Sequence, residues 1–197
     1  MTKPVVEIDL DAIEAAAARG ATLDFPDTAL SQRIDRFIDL IGEVVHPLWV
    51  VLIALIVVNV AMRYALGTNF IAMEEMQWHL YAIGIMFGLG YGVRHDSHIR
   101  VDVVAENLSP RRRGWIELLG LTLIMVPLVY VIISNAIPFT TRAFRLAEVS
   151  SAPGGLPMRW IIKSVIILAF AYLGLALVSR LLRVSAFLFG HPKALRP

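Results

Sequence analysis

Polar side chains that could do chemistry are few in this sequence and stand at the margins of long apolar runs. Asn59 and Arg63 lie four residues apart at the end of one run, and Glu74 and Glu75 open the next. Lys163 stands one turn into the last run. An ionisable group inside a bilayer is costly unless it is paired or lines a polar path, so each is a candidate for function. Asn59 and Arg63 share one helix face. The spacing predicts a structural polar clamp in which Arg63, one of Glu74 and Glu75, and Lys163 neutralise one another at one membrane interface. The competing reading is a path for protons or cations. Carriers of that kind place acidic groups near the midplane or break a helix there, and no carboxylate falls in the middle of any apolar run.

Other chemistries find less support. Bis-histidine haem ligation needs two histidines at matching depth on facing helices, but His46 starts one run and His79 starts the next, which returns from the opposite side. His95, Asp96, His98 and Asp102 have metal-ligating side chains, yet His98 and Asp102 fit a local pair four residues apart. There is no cysteine, which removes disulfides, thiolate metal sites and thiol nucleophiles. No glycine-rich phosphate loop or serine-nucleophile motif is present. No catalytic, cofactor or metal site is therefore expected.

The elements that position these residues follow from hydropathy. Of 197 residues 57% are hydrophobic and 17% charged, with a mean hydropathy of +0.69; soluble domains have about 45–50% apolar and about 25% charged residues. A bilayer core takes roughly 20 apolar residues as a helix. Four runs meet that length, at 44–62, 71–93, 115–139 and 160–182, and predict an all-α integral membrane protein with four transmembrane helices. Pro127 is expected to kink the third. Gly84, Gly88 and Gly92 recur every four residues along the second, a row that lets another helix approach closely. Trp49, Trp78, Trp115 and Trp160 are candidate interface anchors, with Trp49 rather deep.

Arginine placement suggests direction. Arg94, Arg100, Arg111, Arg112 and Arg113 crowd the second connection, and Arg180, Arg183, Lys193 and Arg196 gather at the end of the chain. The positive-inside rule then puts both termini and the 94–113 connection in the cytoplasm. Arg142, Arg145 and Arg159 in the third connection weaken the asymmetry. Residues 28–43 set Leu30, Ile34, Phe37, Ile38 and Ile41 against Arg33, Asp35, Arg36 and Asp39, the pattern of an amphipathic interfacial helix. The chain thus divides into an acidic cytoplasmic arm at 1–27, that helix at 28–43, a four-helix membrane domain at 44–185 and a tail at 186–197. The arm does not read as a signal peptide. The scattered basic residues do not form a nucleic-acid stripe.

The stretch NVAMRY followed by MEEMQWHLYAIGIMFGLGYGVRHDSHIRVDVVAENLSPRRR resembles the small membrane subunit of TRAP transporters, the DctQ-like family. The matching positions are Asn59, Arg63, Glu75, Gly88, Arg94, His98, Arg100, Val101 and Asp102. A later stretch, EVSSAPGGLPMRWIIKS, is similar to the branch labelled mannitol/chloroaromatic transport, through Glu148, Ser150, Gly154, Gly155, Leu156, Pro157, Arg159, Trp160 and Lys163. The resemblance covers roughly residues 35–185, and the arm at 1–27 departs from it. It implies a multi-pass subunit of the bacterial inner membrane that scaffolds a large elevator subunit, with a periplasmic solute-binding protein as a further partner. Sodium and an organic acid would be bound by the large subunit. It also implies that Arg94, His98, Arg100 and Asp102 order the cytoplasmic connection. Two other classes remain open from the residues alone: an autonomous four-helix transporter or exporter, and a membrane anchor of a redox complex.

Overall fold

The computed structural model describes residues 25–95 and 108–194. Helix α1 (Ala29–Val45) starts at a reciprocal cap. Thr28 Oγ1 accepts from the Ser31 amide at 3.1 Å and Ser31 Oγ accepts from the Thr28 amide at 2.9 Å, which satisfies two amides that a helix start leaves open. Only His46 separates α1 from α2 (Pro47–Leu66), and Pro47 occupies a first-turn position where no N–H is needed. Helix α2 stops at Gly67, whose φ of 61° is left-handed and suits a residue without a side chain.

A four-residue turn leads into α3 (Ile71–Arg94). Helix α4 (Pro110–Gly120), a π turn (Leu121–Met125) and α5 (Val126–Arg145) follow without a break. The 30-residue α6 (Trp160–Phe189) closes on Gly190 at φ 71°. Thr28 and Ala194 then form an isolated antiparallel bridge. Among the described residues there is no strand ladder, in keeping with the all-α class.

Helix α6 is the axis. In its most apolar window 33% of residues are buried, against 11% in the windows of the α1–α2 run and the α4–α5 rod. Leu173, Leu177 and Val184 of α6 pack on Leu121 and Val129, and Tyr172 and Ala176 pack on Ile38. Many large apolar side chains, among them Val50, Ile53, Leu123, Tyr130 and Leu168, are exposed, and a bilayer, not water, would solvate them.

Three helical runs, Ala29–Leu66, Pro110–Arg145 and Trp160–Phe189, are long and apolar enough to cross a membrane. Helix α3 is less apolar because Gln77, His79 and four glycines dilute it. Its contacts nevertheless carry it through the same depth as α2. Its start meets Arg63, Gln77 faces the Leu55 carbonyl at 3.4 Å, Gly84 faces Trp49, and Arg94 reaches Asp35. At about 1.5 Å per residue its 24 residues extend about 36 Å.

Three local details differ from the sequence pattern. Helix α1 turns part of its polar face inward: its buried residues are Ser31, Asp35, Ile38 and Gly42, with Ile34 and Ile41 packed beside Ile38, while Leu30 and Phe37 of the same apolar face are about half exposed. The reason is polar, because Asp35 and Ser31 meet side chains of α6. The last helix continues to Phe189, past the 185 boundary expected for the membrane domain. At Pro127 the strain is taken up before the proline, in the π turn, where the Val126 amide donates to the Leu121 carbonyl five residues back. A second proline, Pro138, lies inside α5.

Candidate functional site

Ionisable side chains collect in two girdles at opposite ends of the bundle. At the α1 end, Asp35 is 3% exposed. It accepts hydrogen bonds from Ser179 Oγ at 2.7 Å and from Arg183 Nη2, and Arg94 Nε stands 3.5 Å away. Arg183 also pairs with Asp27 at 2.9 Å. Asp39 lies 3.7 Å from Arg94 and 3.0 Å from His95. Glu117 of α4 pairs with Arg180 at 3.0 Å, and the Arg180 guanidinium rests over the Phe25 ring at 4.9 Å. Three helices are thus tied by one buried carboxylate, and its partners offset the cost of burying the charge.

At the other end the predicted clamp is divided into separate units. Arg63 pairs with Glu74 at 2.5 Å. Glu75 turns the other way and accepts from Ser150 Oγ and from the Leu156 amide at 2.6 Å. Lys163 joins neither glutamate of α3: it pairs with Glu148 at 2.5 Å and lies 4.0 Å over the Phe139 ring. Its ammonium, hydrogen-bonded to Glu148, is the main reason that the Glu148 carboxyl is held below its ordinary value of 4.5. The connection at 146–159 thereby becomes a built structure, pinned to α3 by Glu75 and to α6 by Glu148. Its Ser150 amide donates to the Leu156 carbonyl at 3.1 Å, and its Arg159 amide to the Glu148 carbonyl at 3.0 Å. Gly155 has no room for a side chain, since a Cβ there would meet Glu75 Oε1 at 2.9 Å and press harder on Ser150.

The remaining candidates are placed as follows. Asn59 is 2% exposed, and its Oδ1 has no hydrogen-bond partner among the described residues. It does not join Arg63 in an interaction. Gly84 is filled from within the chain: a Cβ would come to 2.9 Å from the Trp49 ring. Gly88, by contrast, has nothing within 4 Å of a Cβ position. Gly84, Gly88 and Gly92 line a groove of about 360 Å³ between the α1–α2 run and α3. Arg94 has the partners given above, whereas His98, Arg100 and Asp102 lie outside the described residues. Among the described residues no three His, Asp or Glu side chains gather as a metal site.

Asp35, Ser179 and Arg183 are the functional candidates that sequence reasoning missed. A stripe in steps of four, three and four residues through 31, 35, 38 and 42 was the available signal. Glu148 and Ser150 appeared only through the family pattern. Between the girdles, the described stretches 47–62, 76–93, 118–141 and 164–179 carry no Asp, Glu, Lys or Arg. Asn135 and Ser134, exposed in the middle of α5, donate back to the Val131 carbonyl at 2.7 and 2.9 Å, which quiets their polarity within the helix itself.

This is the architecture of a multi-pass helical membrane protein whose charges hold helices together at the ends. The family model described as tripartite ATP-independent periplasmic transporters, DctQ component, matches residues 52–187, and the chain belongs to that family. It is a component of a transporter of the inner membrane, in a family that works with a large membrane subunit and a periplasmic binding protein. No curated protein and no solved structure matches it.

Proposed function

We propose that this chain is the bracing subunit of its transporter. It scaffolds a large elevator subunit that takes up an organic acid with sodium, and it leaves the substrate and sodium sites to that subunit. The observation that carries the reading is the charge-free middle between two girdles of internally paired side chains. A moving carrier needs polar groups at mid-depth that change partners; this bundle spends its polar groups on fixing helix ends. Both termini face the cytoplasm in this reading, since the α1 end holds the larger share of basic residues. The groove at Gly88 is the face on which a helix of the large subunit rests, because its small residues let two backbones approach.

Purification in mild detergent with the large subunit co-expressed tests this. The two chains are expected in equal amounts, and the small chain alone in liposomes is expected to move no solute. Solute movement by the small chain alone would overturn the bracing role. A Soret absorption band in the purified chain would instead favour a redox anchor.

A further inference from the structure

At the end of the bundle where Arg63 and Lys163 each meet a carboxylate, the end of α5 breaks the pattern. Arg142 and Arg145 are exposed and form no ion pair among the described residues. An exposed basic pair there, with Arg142 near enough to Glu148 to help hold its carboxyl low, also runs against the bias that gathers arginines at the α1 end. Beside the pair one face of α5 leaves a shallow, open recess of about 510 Å³, bounded by Ile137, Pro138, Thr141, Arg142, Arg145 and Leu146.

Its chemistry is two-sided. The Thr141 hydroxyl is already committed, donating to the Ile137 carbonyl at 2.8 Å. The guanidinium groups are therefore the donors left for an anion, and Ile137, Pro138 and Leu146 form an apolar floor. Depth follows from Phe139, which lies under the girdle residue Lys163. Ile137 and Pro138 fall on the bilayer side of that level, and Arg142 and Arg145 on the water side. From Ile137 to Arg145 the helix rises about 12 Å, the distance from the upper acyl region to the headgroups. The acidic surface of a soluble protein could reach the arginines but not the floor.

We propose that this recess is a site for an anionic phospholipid, with the phosphodiester held by Arg142 and Arg145 and the first acyl carbons laid over Ile137 and Pro138. Guanidinium forks bind phosphate oxygens in pairs, and each basic residue near an anionic headgroup is worth about fivefold in occupancy. The site shares no residue with the Gly88 groove and its test uses the small chain alone, so its outcome is separate from that of the bracing role.

The full-length chain, purified in mild detergent and incubated with equal phosphatidylglycerol and phosphatidylethanolamine, is to be examined by native mass spectrometry. One phosphatidylglycerol should be retained in preference. Arg142→Ala/Arg145→Ala should lower that bound state about tenfold or more, while Arg33→Ala/Arg36→Ala, an equally exposed basic pair on α1, should keep it. Glycerol phosphate, which lacks acyl chains, should not displace the lipid at matched concentration. Retention without headgroup preference, retention in the α5 variant, or displacement by glycerol phosphate would each overturn the proposal. So would a pair that alters only the binding of the periplasmic protein, since an acidic protein surface would then be the occupant.

Discussion

Asp35→Ala tests the central claim about the α1-end girdle. Asp35 is 3% exposed, and Ser179, Arg183 and Arg94 all face it. Removing one partner of a buried ion pair costs about 3–5 kcal/mol, because the remaining charge is left uncompensated. Part of that is recovered here, since Arg183 keeps Asp27 at 2.9 Å and Arg94 keeps Asp39 at 3.7 Å. A loss of about 2–3 kcal/mol is therefore expected, at or just below the low end of that range. Equilibrium unfolding in mixed micelles, followed by circular dichroism, measures it. Asp39→Ala is the matched control, for its side chain is 36% exposed and exposed pairs contribute about 0.2–1 kcal/mol. In the double variant Asp35→Ala/Arg183→Ala part of the loss should return, because one buried guanidinium goes with its carboxylate. If Asp35→Ala cost no more than Asp39→Ala, or if the second substitution deepened the loss, Asp35 would not be the tie between α1, α3 and α6.

The two glycines of the groove should separate folding from assembly. Gly84→Leu, which collides with Trp49, should lower the thermal stability of the isolated chain. Gly88→Leu should leave that stability unchanged and reduce recovery of the large subunit on co-purification. Gly155→Ala should displace Glu75 and Ser150, seen as faster hydrogen exchange at the Leu156 amide with little change elsewhere. The Lys163–Glu148 clamp carries a pH signature. Because the Glu148 carboxyl is held below 4.5 in the folded state, the clamp is fully present above that value and is lost as pH falls through the lowered one. Protease sensitivity of the 146–159 connection should rise only in that acid range, and Glu148→Gln should weaken that pH dependence, leaving the part carried by the Glu75 carboxylate on Ser150 and Leu156.

Hydropathy located the helices because about 20 apolar residues in a row have few alternatives to crossing a bilayer. It could not place Asp35. On a lone helix a charged residue belongs on the wet face, opposite Leu30, Ile34, Phe37, Ile38 and Ile41. What turns Asp35 inward is Arg183, which is 148 residues away and counts in the sequence only as a cytoplasmic positive charge. Glu75 shows the same limit from the other end. Its charge suggested a cationic partner, whereas a hydroxyl and a backbone amide from the 146–159 connection take that place. Lys163 and Glu148 were both visible in the family pattern. Their pairing was not, because it depends on how that connection folds back. The π turn leaves no trace in hydropathy, since Leu121–Met125 is as apolar as its neighbours.

That turn makes the α4–α5 rod tolerant of a change in length. Both arms of the rod rest on α6, through Gly114 against Leu188 on one side and Val129 near Gly174 on the other. In a regular helix, losing one residue swings everything beyond it by about 100° and would carry one arm off the axis. A π turn already holds one residue more than its α counterpart. Deleting a single residue within Leu121–Met125 therefore returns the rod to regular winding with both arms still seated on α6. The same deletion a turn away, at Val131 or Ile132, would unseat α5.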